Sequence, residues 1–317
     1  MRRKVAGVNG FADAAPRNTR IKTHNKNLLF LPKILGVFYV ADICAVLLRL
    51  KRMSETTASV PFDADQATAL RDRFNSVRQR VIDSEKKSGQ RAGSVVLIVV
   101  SKSGSIEQIR EMVNMGQVDF GENRVQQLSQ RAANIGEWIS RRKEMDPKAA
   151  LPKVRWHMVG SLQRNKVKKC LETARLIHSI DSMRIAEEVQ DASTRRPTPT
   201  EVLLEVNVSG DSNKHGIAPP AVKHLVEQLM GMPNMKARGL MCMGPLEGGL
   251  DAARRTFERC HELFQEIRGS EIGGDAFNIL SMGMSHDFEV AIECGANMVR
   301  VGSAVIGDPQ VTETTEE

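Results

Sequence analysis

Residues 94–105 read "SVVLIVVSKSGS": an unbroken apolar run from Val95 to Val100, then Ser101 and Lys102 where the run breaks into small polar residues and glycine. A short run of β-branched and aliphatic residues, bounded by glycine, reads as a strand buried on both faces. Such strands belong to parallel sheets covered by helices. What needs explaining is the lysine at the carboxyl end of that strand.

Seven more runs of the same kind follow: 117–122, 154–161, 175–182, 201–209, 236–244, 276–284 and 298–307. Between them lie helical patterns, such as Ile106, Ile109, Val113 and later Phe257, Cys260, Phe264, Ile267. Eight strand–helix units in about 250 residues imply one α/β domain, a closed (β/α)8 TIM barrel. No GxGxxG follows the first run, so an open dinucleotide-binding sheet is disfavoured. A helix precedes the barrel: Leu70, Phe74, Val77 and Val81 share a face, and Asp63 or Asp65 is placed to cap it. The stretches 136–153 and 191–200 read as charged or proline-bearing surface connectors.

The net charge is +7. Residues 1–52 hold eleven Lys/Arg against Asp13 and Asp42, a surplus of nine, which leaves the remainder at −2. A near-neutral body gives no electrostatic reason to bind nucleic acid. Five scattered cysteines without a CxxC pair argue for reduced thiols in a cytosolic or organellar interior and against a zinc site. The apolar stretch 28–50 is interrupted by Pro32, Lys33 and Asp42, which argues against a membrane span. Residues 1–60 are read as an N-terminal extension: a basic, presequence-like segment directing the chain to mitochondria, or residues upstream of a mature start at Met53. The barrel is assigned to 61–309, a tail to 310–317, and cytoplasmic residence is the default.

Barrel active sites are built at the carboxyl ends of the strands. Those ends carry Lys102, Glu122 with Asn123, His157 to Ser161, Asp181, Asn207 with Ser209, "SMGMS" (281–285), and Arg300, Gly302 and Ser303. A lysine at an apolar mouth loses hydration, which favours the neutral, nucleophilic amine and hence Schiff-base chemistry with an aldehyde. Glycines and serines after the last two strands suit a phosphate. Together they point to a phosphorylated aldehyde, either pyridoxal phosphate (PLP) or a sugar phosphate. Arg300 would meet a ring nitrogen or a carboxylate without giving up its proton.

The stretches "VVSKS" (99–103), "FGENRVQ" (120–126), "WHMVGSLQRNK" (156–166), "LLEVNVSGDSNKHGI" (203–217), "SMGMSHDFEVAIECG" (281–295) and "VRVGSAVIG" (299–307) resemble the pyridoxal phosphate homeostasis proteins, also called YggS-like. The resemblance runs through 64–309. It implies a fold type III barrel of the alanine-racemase N-terminal kind without that enzyme's second domain. It also implies a carrier that stores PLP, limits the free aldehyde and hands it to apo PLP-dependent enzymes, with no catalytic residue.

Lys102 matches the lysine holding the cofactor as an internal aldimine. Ser281, Gly302 and Ser303 match positions around the phosphate, and Arg300 the arginine facing the pyridine nitrogen. Asn123 and His157 match polar residues near the ring, although Asn123 also suits a helix cap and His157 a satisfied core histidine. The family usually reads "SKTKP" where this chain has "SKSGS", and tyrosine where Arg124 stands.

The alternatives are a PLP-dependent amino-acid racemase and a Schiff-base aldolase using Asp181 or Glu122. Racemisation needs an acid/base on each face of the substrate. The only tyrosine, Tyr39, lies outside the barrel, and with about ten residues beyond the last strand no second domain is expected to supply another. Without that domain a monomer is expected.

Overall fold

A computed structural model describes residues 62–148, 150–211 and 215–307; the N-terminal extension and the C-terminal tail lie outside them. Helix α1 (Ala64–Lys87) starts at Asp63, whose carboxylate accepts from Gln66 N at 2.8 Å, and ends on Lys86 and Lys87, which suit the negative end of the helix dipole. Its buried stripe is the one expected: Leu70, Phe74, Val77 and Val81. Glu85, also buried, accepts from Gly93 N and Val95 N and so aims the chain into the first strand.

Eight strands then alternate with helices: β1 (Val96–Val100), α2 (Ile106–Asn114), β2 (Asp119–Glu122), α3 (Val125–Met145), β3 (Arg155–Met158), α4 (Val167–Leu171), β4 (Ala174–Ile180) and α5 (Met183–Ala192). They continue as β5 (Thr200–Val206), α6 (Pro219–Met230), β6 (Met235–Cys242), α7 (Gly249–Gly269), β7 (Ile279–Ser281), α8 (Phe288–Glu293), β8 (Met298–Val301) and α9 (Ser303–Ile306). All neighbours are parallel, and β8 pairs with β1 through Val96↔Met298 and Val99↔Val301, closing the ring. The expected TIM barrel is therefore present.

The connector read at 136–153 is corrected in its first half. Helix α3 runs on to Met145, because Leu128, Ile135, Trp138 and Ile139 keep one apolar stripe against the barrel while the charged residues face out. Gly136 interrupts nothing.

Side chains alternate along each strand. Val99 and Phe120 face the surrounding helices, whereas Ile98, Leu176, Leu203, Met241 and Met298 meet inside the barrel. On β1 the inward positions are therefore Val96, Ile98 and Val100, and the next in that series is Lys102. On β2 they are Asp119 and Gly121, followed by Asn123. Gly121 is needed for closeness: a Cβ there would lie 3.0 Å from Ile98 Cγ2 and 3.2 Å from Val159 Cγ1.

Candidate functional site

Lys102 sits in a tight turn at the end of β1, with Gly104 N bonded to Ser101 O at 2.8 Å. Its side chain is exposed; the dehydration expected of a lysine at an apolar mouth is absent, because the turn carries it beyond the last apolar layer. The turn itself is held from outside. Arg131 of α3 donates to the carbonyls of Ser101, Lys102 and Gly104, and pairs with the fully buried Glu122 at 3.0 Å. Ser101 Oγ also donates to Glu122 Oε1, at 2.6 Å. Burial pushes the Glu122 carboxyl up, and Ser101 and Arg131 offset this only in part. Sequence reading missed Arg131: it looks like one more charge on a solvated helix.

Asn123 follows β2 on the inward series. It does not cap α3, where Arg124 holds the cap position without a side-chain bond. Its Oδ1 is buried and has no hydrogen-bond partner among the described residues. A buried amide oxygen left unpaired costs about 1–3 kcal/mol, so it suits a ligand donor.

The other side of the mouth comes from β7 and β8. Gly302 N and Ala304 N both donate to Ser285 Oγ, at 3.1 and 3.3 Å. Beside them a cavity of about 450 Å³ is lined by Arg80, Ser285, His286, Ser303 and Ala304. Ser303, exposed, opens α9. The end of α9 is tied back to the front of the chain: Arg73 donates to Val305 O and Ile306 O, and Gln108 to Ile306 O. Lys102 and the Gly302 turn thus flank one seam, where β1 and β8 meet.

Arg300 is buried inside the ring, giving Nη1 to Ser281 Oγ at 2.7 Å and Nη2 to Cys242 O at 2.9 Å. No carboxylate of the described residues lies within ion-pair distance of it. Glu205, inward on β5, is pushed up to about 7 by burial and the Asp181 carboxylate, against the pull of Arg300 and His215. His157 is sealed one layer below Asn123, level with Gly121, and both ring nitrogens are engaged, by Asp119 and His178. It is a satisfied interior histidine, and any role at the mouth is indirect. His178, unnoticed in "RLIHSIDS", is the ring that links it to Ser281.

Lys102, Asn123, Ser281, Arg300, Gly302 and Ser303 thus converge on the carboxyl ends of β1, β2, β7 and β8. The chain as a whole is similar to known proteins. The pyridoxal phosphate homeostasis protein of Aquifex aeolicus is 35% identical over 237 residues, covering 75% of this chain and 97% of that protein. Its namesake from Pseudomonas aeruginosa is 32% identical over 240 residues, 76% of this chain and 96% of that protein. The solved structure of PipY from Synechococcus elongatus with PLP bound matches with a TM-score of 0.63 at 29% identity, covering 75% of this chain and 100% of that one. D-threonine aldolase of Filomicrobium marinum, at 17% identity and a TM-score of 0.54, covers 74% of this chain and 60% of that one and shares the fold. Over residues 68–310 the chain belongs to the family described as alanine racemase, N-terminal domain.

Proposed function

We propose that this protein is a reversible carrier of PLP. The observation that supports it best is the shared seam: an inward-series lysine, free of any apolar cover, stands across from a glycine turn whose N–H groups converge on one oxygen, Ser285 Oγ. When bound, PLP supplies an aldehyde that condenses reversibly with an amine, and Lys102 Nζ is the amine offered. Asn123 Oδ1, lacking a partner, accepts from the ligand. Ser303 and the Gly302 turn serve the phosphate, with Ser285 Oγ, which the Gly302 and Ala304 amides hold in place, beside them. Arg300 holds its proton and so donates to the ring nitrogen without protonating it, which keeps the ring a poor electron sink.

The carrier is not a catalyst in this reading. Abstracting and returning a substrate proton on opposite faces needs two bases, and the barrel residues include no tyrosine to act as the second. The four buried, unpaired cysteines of the described residues suit a reducing cytoplasm. Apo PLP-dependent enzymes are the recipients, and the chain acts as a monomer.

The test is direct. The purified protein is incubated with PLP; a visible band appears, borohydride abolishes it, and mass spectrometry maps the adduct to Lys102. A band that persists in Lys102→Ala refutes the assignment. Turnover of alanine, serine or threonine by the wild type would restore the racemase-like reading.

A further inference from the structure

An unbroken chain of side-chain hydrogen bonds crosses the barrel interior. Arg300 Nη1 donates to Ser281 Oγ at 2.7 Å, and Ser281 Oγ lies 3.2 Å from His178 Nδ1. His178 Nε2 lies 3.2 Å from His157 Nδ1, and His157 Nε2 lies 3.0 Å from Asp119 Oδ1. Arg155 closes the far end, donating to Asp119 through Nε at 2.7 Å and through Nη2. Five strands contribute, and every member but Arg155 is buried.

The heavy atoms dictate where the hydrogens go. Burial raises the Asp119 carboxyl, but the bonds and charges of His157 and Arg155 outweigh it, so Asp119 is ionised and held below the usual range. His157 Nε2 must then carry a hydrogen, and a neutral His157 has a bare Nδ1. That Nδ1 can only accept from His178 Nε2–H. Burial above all, with the Arg300 charge adding to it, pushes His178 well below its usual value, so beside a neutral His157 it is itself neutral and its Nδ1 is bare. Ser281 O–H donates there. The bonds all point one way, from the Arg300 cation through Ser281, His178 and His157 to the Asp119 anion.

We infer that His178 and His157 are positioning residues for Arg300, acting through Ser281, and that one proton added to His157 reverses the chain as far as Ser281. The proton balance is simple. Ser281 O–H passes its hydrogen to His178 Nδ1, His178 Nε2–H passes to His157 Nδ1, and Ser281 regains a hydrogen from a solvent hydronium ion, which leaves as water. One proton thereby moves from the mouth to the His157–Asp119 pair. Ser281 Oγ then accepts from both Arg300 and His178, and its own hydrogen is free for an anionic oxygen.

The groups facing His157 are Asp119 of β2, His178 of β4 and, through Asp119, Arg155 of its own strand. Beyond Ser281 stand Arg300 of β8 and, acting on it, Glu205 of β5 and Asp287. By linkage, an anionic ligand at Ser281 and a proton at His157 favour each other. This consequence for binding rests on the PLP reading of the mouth, whereas the hydrogen pattern does not.

Nitrogen NMR on the full chain with labelled histidine, without ligand, tests it. At alkaline pH His178 shows a bare Nδ1 and a protonated Nε2. Once the spectra show hydrogen on both His157 nitrogens, the His178 pattern is inverted. In His157→Gln, whose amide reaches Asp119 but takes no proton, no inversion occurs. A His178 already protonated on Nδ1 at alkaline pH, or one unchanged while His157 charges, overturns the inference. The wild-type titration decides this independently of the variant.

The second probe is pyridoxine 5'-phosphate, which has the ring and phosphate but no aldehyde for Lys102. It binds roughly tenfold tighter when both His157 nitrogens carry hydrogen than when Nδ1 is bare, the equivalent of one charge-assisted hydrogen bond, and Ser281→Ala removes that increment. A pH profile unaltered by Ser281→Ala overturns the coupling. Failure to bind at any pH overturns the PLP reading and leaves the NMR result standing.

Discussion

Arg131 Nη2 donates to the carbonyl of Gly104 at 2.8 Å, so a helix on the outside of the ring fixes the turn that presents Lys102. The same guanidinium is the partner of the buried Glu122. Arg131→Met therefore strands a buried carboxylate and frees the turn. Breaking a buried pair costs about 3 kcal/mol or more, to be read from urea unfolding. PLP affinity falls with it, and Arg131→Lys recovers part of the stability but less of the affinity, because one ammonium cannot span three carbonyls.

Glu205 gives the protein a pH-dependent stability of defined sign. Its folded value, about 7, lies above the ordinary glutamate value of 4.5. A raised value means that stability is fully present below about 4.5 and is lost as pH rises toward 7. The shift corresponds to roughly 3 kcal/mol. Glu205→Gln, neutral throughout, abolishes that decline. Denaturant midpoints at pH 5 and pH 8 will show the variant gaining on the wild type only at the higher pH.

Asp119 works in the opposite sense. Its folded value is depressed, so it contributes stability above the ordinary aspartate value of 3.8 and loses it as pH falls through the folded value. Asp119→Asn flattens this acid limb and lowers stability at neutral pH, with the larger loss above pH 4. Thermal unfolding at pH 3 and pH 7 separates the two effects.

Gly160 is a place where no side chain fits. A Cβ there would lie 2.5 Å from Asn123 O and 2.7 Å from Asn123 Cα, against backbone that cannot yield cheaply. Gly160→Ala costs at least about 2 kcal/mol and pushes Asn123 out of the mouth. Reduced PLP affinity in a variant that still folds at low temperature is the expected signature.

The strands and their inward faces were legible because period-two alternation and apolar runs are set by local residues. Lys102 and Arg300 stood out as charges at the end of, or within, apolar runs. Arg131 and His178 did not, since what gives each its role is a partner far along the chain: Ser101 and Gly104 for one, His157 and Ser281 for the other. The "SKSGS" departure also makes local sense in three dimensions. Gly104 packs where a Cβ would come 3.1 Å from Ile306 Cδ1, and Ser105 caps α2 in a reciprocal box with Gln108. The α3 overrun past Gly136 was hidden by a charged face that resembles a loop's composition.

The seam between β1 and β8 has a consequence in time. Lys102 lies near the start of the barrel sequence and the Gly302 turn near its end, and Arg73 and Gln108 join the two only once the last strand is in place. Such long-range closure is slow relative to local helix formation. A chain still emerging from the ribosome, or one stalled before β8, carries Lys102 but has no opposite wall, so on the proposed reading of the mouth ligand is acquired only when the ring shuts.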